Sequence, residues 1–325
     1  MKGFTFHKPR SLKEALAMLK EADGKAKIMA GGTDLLGAMK DGIMQPERLI
    51  NLQEIPDLAN IRPDNDRLHL GALVSLHEIT VHPSIQKRFG ILAQAAQEVG
   101  SPQLRNMGTL GGNLCQRPRC WYYRGDFVCL KRGGDQCFAV TGQNKYHAVI
   151  EGGPCFIVHP SDTAPALLAM DASVRIAGPD GEKIAALEKF FMTPRDNVTR
   201  ENILEPDQIL TEIMVPLPRE GSRGIYLKAR ERRCWDFALA SVALLLNIDD
   251  GICQEIRLVL GGIAPIPFRA SKAEEVLKGK PIEIELIDQA CRMALSGARP
   301  LASNAYKLEL TQALIKQALL TLSNK

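Results

Sequence analysis

Residues Arg105–Cys155 read RNMGTLGGNLCQRPRCWYYRGDFVCLKRGGDQCFAVTGQNKYHAVIEGGPC, and the rest of the chain is organised around them. The stretch opens on a glycine-rich turn, Gly108-Thr109-Leu110-Gly111-Gly112-Asn113. It then holds Cys115, Cys120, Cys129, Cys137 and Cys155, five of the eight cysteines. Backbone this rich in glycine approaches a bulky anionic cofactor closely. Thiols gathered in one loop, with little periodic structure between them, point to a metal cluster. The segment reads as two cofactor sites side by side.

The cysteine spacing narrows the second site. Eight, seven and seventeen residues separate Cys120, Cys129, Cys137 and Cys155. A structural zinc site brings its ligands as close C-x-x-C pairs, and none occurs here. A cubane cluster needs four thiolates and tolerates wide spacing in a wrapping loop. Arg117, Arg119, Arg124, Lys131, Arg132 and Lys145 outnumber the acids of the insert, an excess suited to offsetting a thiolate-ligated cluster. The competing reading is buried, unreactive thiols. That reading suits Cys234, Cys253 and Cys291, which sit in strand or helix patterns. No tight ligand pair occurs among the histidines, His147 of the insert included, and nothing resembles a hydrolytic constellation.

A second glycine turn lies upstream. Met29-Ala30-Gly31-Gly32-Thr33-Asp34-Leu35 sets two glycines between an expected strand (26–30) and an expected helix (35–40), where successive N–H groups and a helix start favour a phosphate. It is neither G-x-G-x-x-G nor a Walker loop. Alone it reads as an ordinary tight turn. With Thr109, Gly111, Gly112 and Asn113 repeating the recipe, two such turns suit the halves of a pyrophosphate-linked dinucleotide. Ser161-Asp162 adds a hydroxyl and a carboxylate suited to ribityl or ribose hydroxyls.

At 325 residues the chain suggests two domains. The net charge of +4 without a basic run argues against nucleic-acid binding. The start shows no signal-peptide core and no stretch reaches the length of a membrane helix, so a soluble, cytoplasmic protein is expected. There thiols stay reduced, which favours metal or redox roles over disulfides. Ser11 and Glu14 frame a helix over 12–22, and Ile50–Leu52 reads as a strand completing a β–α–β-like unit. Further strands are expected over 67–73, 173–177 and 208–215. Helices are expected over 75–81 and 91–99, and from Ser161-Asp162 through Met170. After a polar linker at 219–224, strands over 225–229, 239–248 and 253–260 precede helices over 271–277, 282–296 and 304–322. Asp249-Asp250-Gly251 is a hairpin signal, and the pattern is that of helices packed on one face of an antiparallel sheet.

AGGTDL at 30–35, RNMGTLGGNLC at 105–115, HPSD at 159–162 and GGIAPIPFRA at 261–270 resemble the FAD-binding medium subunit of the xanthine dehydrogenase (molybdenum hydroxylase) family. The resemblance implies an α+β protein. Residues 1–220 would be a PCMH-type (vanillyl-alcohol-oxidase-like) FAD domain of two subdomains, and residues 221–325 a CO-dehydrogenase-flavoprotein-like domain. The insert at 116–155 is similar to the iron–sulfur loop of the 4-hydroxybenzoyl-CoA reductase β subunit. That likeness implies a [4Fe-4S] cluster on Cys120, Cys129, Cys137 and Cys155, with Cys115 in the general GGNLC motif. On the same resemblance Ile28, Met29, Ala30, Gly31, Gly32, Thr33, Asp34 and Leu35 contact the FAD pyrophosphate and ribityl chain. Thr109, Gly112 and Asn113 line the other side, and Ser161 and Asp162 contact the polar part. Leu204 packs on the ring, and Lys228 matches a position near the flavin where a cation stabilises its reduced form.

These features imply an electron-transfer subunit carrying FAD and [4Fe-4S]. It would serve a molybdopterin-binding large subunit and a small [2Fe-2S] subunit, with a ferredoxin or another one-electron carrier outside. No catalytic residue is assigned to this chain. Two other readings compete: a zinc-stapled assembly module, and a free-standing FAD-dependent NADH dehydrogenase.

Overall fold

Short β-branched and leucine-rich runs bounded by glycine, proline and aspartate give twelve strands in three sheets in the computed structural model, which describes residues 1–323. β1 (Thr5–His7), β2 (Ala26–Met29) and β3 (Arg48–Asn51) form a parallel sheet in the order β1-β3-β2. The helix Leu12–Glu21 connects β1 to β2, and Ser11 accepts the Glu14 N–H at its start, as the capping pattern demands. β4 (Ile61–Pro63), β5 (Arg67–Gly71), β6 (Ser173–Gly178), β7 (Gly181–Ala186) and β8 (Ile209–Pro216) form an antiparallel sheet in the order β4-β5-β8-β6-β7. β8 is buried along almost its whole length because it sits at the centre of that sheet.

β9 (Arg223–Ala229), β10 (Ala240–Asp249), β11 (Ile252–Gly261) and β12 (Phe268–Arg269) make the third sheet, antiparallel throughout. The hairpin joins β10 to β11 where Asp250 and Gly251 take left-handed backbone. The helices Ser271–Leu277, Ile284–Ala294 and Tyr306–Ser323 follow, and their apolar residues share one core with this sheet. A second core lies between the five-stranded sheet and the helices Gly90–Gln97 and Thr163–Ala169. A third, smaller one sits under the helix Leu12–Glu21. The fold is thus an FAD-domain half of two sheets followed by an α+β half.

Several expectations change in detail. β1, β4, β7 and the helix Pro83–Arg88 were not anticipated, since each is three to six residues long with a polar or mixed face. The second glycine turn is more helical than expected: Pro102–Met107 and Leu110–Leu114 are short helices on either side of Gly108. Asp162 does not cap the helix Thr163–Ala169; the Ser161 hydroxyl takes that place by accepting the Ala164 N–H at 3.0 Å. Cys253 and Cys291 are buried as expected, but Cys234 is exposed, because it lies in the 230–238 loop rather than on a strand.

Candidate cofactor sites

The two glycine turns meet. A Cβ on Gly31 would stand 1.8 Å from the Met107 carbonyl oxygen and 3.2 Å from the Gly108 Cα. Glycine is therefore demanded at position 31 by packing between the turns, a reason the motif alone did not suggest. Among the described residues, the N–H groups of Gly31, Gly32, Thr33 and Asp34 find no backbone acceptor. Unpaired donors in succession are the means by which a loop holds a phosphate. A crevice of about 410 Å³ opens over them. Ile28, Ala30, Leu35, Thr109 and Gly112 line it together with that turn, and Leu204 supplies an apolar wall. Met29 ends β2 with its sulfur against Gly32. Free N–H donors at one end and aliphatic walls along the length suit a dinucleotide carrying a diphosphate.

The remaining expected FAD residues form a buried hydrogen-bonded group next to the crevice. Ser161 Oγ and Thr163 Oγ1 both donate to Asn113 Oδ1, at 2.5 and 2.6 Å. Thr109 caps its own short helix by accepting the Gly112 N–H. Asp162 turns toward the C-terminal half. Its carboxylate accepts from Tyr226 Oη at 2.7 Å and from Lys228 Nζ at 2.8 Å, and Lys228 also donates to the Glu98 carbonyl. The Lys228 side chain is fully buried, so this strand residue faces the interior and not solvent. Burial outweighs the neighbouring ammonium and pushes the Asp162 carboxyl upward. Desolvation likewise raises Tyr226. A second cavity of about 420 Å³ runs from Cys120 and His147 to Ser161 and Asp162. The segment 115–121 contributes to both cavities, which puts the cysteine insert beside the glycine turn and the Ser161–Asp162 pair.

In the insert, regular structure is confined to two single turns, Trp121–Arg124 and Leu130–Arg132. Cys129 and Cys155 are buried; Cys120 and Cys137 are partly so. The Cys137 and Cys155 thiols act on each other, and Cys120 is near enough to Cys137 and Cys129 to feel their charge. Burial raises the Cys120 thiol to about 11, while the N–H groups of Tyr123 and Tyr122 act the other way. Cys137 is lowered, first by the Cys155 thiol and then by the N–H groups of Phe156, Ala139 and Val140. Cys155 moves the opposite way, raised by the Cys137 sulfur and by burial, so of these three Cys137 is the one held toward the thiolate. Among the described residues no three His, Cys, Asp or Glu side chains converge as a single metal ion requires, and a zinc staple needs that convergence. A cubane is a larger body, so its ligands stand farther apart.

His147, which its place in the insert already put within reach of the cluster region, and the cations of the insert make contacts that no motif marks. His147 Nε2 lies 3.2 Å from Cys120 Sγ, and burial together with the Lys307 ammonium lowers its pKa to about 4, leaving it neutral. No motif marks that contact, because 27 residues separate the pair. The cations of the insert also have a different use from the one expected. The Arg117 N–H donates to Asp34 Oδ2 at 2.7 Å, Arg124 Nη2 donates to Asp34 Oδ1 at 2.8 Å, and Arg119 Nη1 lies 3.0 Å from that same oxygen. Glu201 pairs with Lys131 at 2.5 Å and with Arg117 at 2.6 Å. The basic excess thus meets two carboxylates of the crevice over the first glycine turn, and of these cations Lys131 also acts on Cys155.

Residues 2–218 match the FAD-binding domain of molybdopterin dehydrogenases, and residues 225–322 match the C-terminal domain of CO dehydrogenase flavoproteins. The chain belongs to this family of FAD-binding subunits of oxidoreductases. PaoB, the FAD-binding subunit of an aldehyde oxidoreductase of Escherichia coli (strain K12), is 33% identical across 98% of both chains. The carbon monoxide dehydrogenase medium chain of Hydrogenophaga pseudoflava is 28% identical, over 97% of this chain and 96% of that one. A solved structure of carbon monoxide dehydrogenase from Hydrogenophaga pseudoflava superposes with a TM-score of 0.79, covering 97% of this chain and 96% of its own at 28% identity. No helix among the described residues is long and apolar enough to cross a membrane.

Proposed function

We propose that this chain is the FAD- and [4Fe-4S]-carrying electron-transfer subunit of a molybdenum hydroxylase-type complex. It would link a molybdopterin-binding large subunit and a [2Fe-2S] small subunit to an external one-electron carrier such as a ferredoxin. FAD supplies exchange between two-electron and one-electron steps, and the cluster supplies a one-electron port. The protein's own part is to hold and orient. The N–H groups of residues 31–34 receive the diphosphate, the 109–113 turn closes the other side, and Leu204 covers an apolar face. Asp162, fixed by Tyr226 and Lys228, sets the polar wall between the two halves. Cys120, Cys129, Cys137 and Cys155 are the cluster ligands, in line with the likeness of the insert to that of 4-hydroxybenzoyl-CoA reductase.

What supports the reading is the insert itself: four cysteines in one segment that is similar to an iron–sulfur loop, with backbone N–H groups favouring the thiolates of Cys120, Cys137 and Cys155. Family membership supports the FAD assignment and the place in a heteromeric complex. Cofactor analysis of the purified full-length chain tests it. The expected result is a yellow-brown protein with about one FAD and about four iron and four sulfide, as a cubane implies. In Cys129→Ser the iron is lost and flavin remains detectable. Flavin without iron in the unaltered protein would leave a plain FAD subunit, and zinc without flavin would favour the assembly module.

A further inference from the structure

Asp34 and Glu201 both line the FAD crevice, where a diphosphate would be repelled by free carboxylates. In the structure neither is free, and every cation that holds them comes from the cysteine insert. Asp34 is gripped by the guanidinium groups of Arg119 and Arg124 and by the backbone N–H of Arg117, and Glu201 by Lys131 and the Arg117 guanidinium. The Lys131 ammonium is almost wholly buried, with Glu201 at 2.5 Å and the Val198 carbonyl at 2.7 Å as its partners. Arg124 donates through Nε to the Pro118 carbonyl, so its reach to Asp34 depends on the local fold of the insert.

That local fold is built without long elements. Between Gln116 and Cys155 only two single helical turns form. Its order rests on single loop hydrogen bonds and on the packed rings of Trp121, Tyr122, Phe127 and Phe138, and a group bound there would add to what offsets the conformational entropy. Cys120, Cys129, Cys137 and Cys155 each take part in that bonding through their own carbonyls. Arg119 adjoins Cys120, and Lys131 follows Cys129 by two residues, so each sits a step from a cluster ligand.

We propose that the iron–sulfur insert and the FAD crevice load cooperatively, the cluster seating Arg117, Arg119, Arg124 and Lys131 on Asp34 and Glu201 and so readying the crevice for a diphosphate. This inference rests on the cluster reading above. Asp34 and Glu201 are coupling residues between the two cofactors, and linkage requires the effect to run both ways with one factor.

The experiment compares FAD affinity, by anaerobic flavin-fluorescence quenching, in full-length chain carrying its cluster and in chain stripped of iron by a chelator. The loaded protein should bind FAD tighter by on the order of tenfold, an ordinary coupling between two sites. The bound cluster should in turn resist the chelator more strongly with FAD present. Glu201→Gln should raise the FAD affinity of the stripped chain, because it removes a carboxylate that has lost its cation; a purely structural role for the insert gives no such gain. Equal FAD affinities in loaded and stripped chains overturn the coupling while the cluster stands. Iron and sulfide absent from the start overturn the cluster reading, and the coupling with it. The wild-type comparison decides the matter even where a variant misfolds.

Discussion

At the scale of single residues, Gly31 and Lys228 carry the sharpest consequences. Any side chain at position 31 runs into the backbone of the other glycine turn. Gly31→Ala is expected to destabilise the chain by about 2 kcal/mol or more, in line with severe overpacking, and to release FAD; thermal unfolding and flavin content read both effects. Lys228 and Asp162 form a buried ion pair. Removing one member leaves the other charge alone in the interior. Lys228→Met is therefore expected to cost about 3–5 kcal/mol, and Lys228→Met with Asp162→Leu clearly less than the two single losses added; urea unfolding of the three variants closes that cycle. The motifs named both residues, but the reasons lay elsewhere. Gly31 is a glycine because of Met107, 76 positions away in sequence, and Lys228 is oriented by a carboxylate from the other half of the chain. Short motifs record which residue is required; the opposing surface that requires it becomes visible only once the chain is folded.

At the scale of elements, the insert is tied to its surroundings at both ends. The C-terminal helix Tyr306–Ser323 holds one end: Lys307 Nζ donates to the carbonyls of Tyr146 and Gly262 at 2.9 and 2.7 Å, and Asn304 donates to those of His147 and Ala148. Lys307 is buried without a carboxylate, and desolvation lowers its pKa to about 7. The unfolded chain then binds the proton more readily than the folded one between pH 7 and the ordinary lysine range. Stability must rise with pH across that window, by up to about 1.4 kcal/mol per pH unit from this one group. Chemical denaturation from pH 7 to 10 should show that slope in the wild type and a shallower one in Lys307→Met. A slope unchanged by the substitution would mean that the ammonium is solvated. The long strands and helices of the C-terminal half were legible in the sequence because their apolar periodicity is strong and each is at least seven residues long. Strands such as β1 and β4 were not, since three residues carry no period.

At the scale of the whole molecule, the N-terminal half and the insert line the glycine-turn crevice, and both halves together with the insert line the second cavity. The order of the motifs conveyed the two-part plan, because both glycine turns belong to the FAD-binding domain that residues 2–218 match. The clamp of insert cations on Asp34 and Glu201 was not legible, since charge excess in a loop says nothing about which distant acids receive it. The account requires two redox centres in one chain. An anaerobic reductive titration of the full-length protein, followed by visible absorbance and electron paramagnetic resonance, tests this most directly. Bleaching of the flavin together with a paramagnetic signal from a reduced iron–sulfur cluster, lost in Cys129→Ser, is the predicted result. Bleaching of the flavin alone, with no cluster signal at any stage in the unaltered protein, would contradict it.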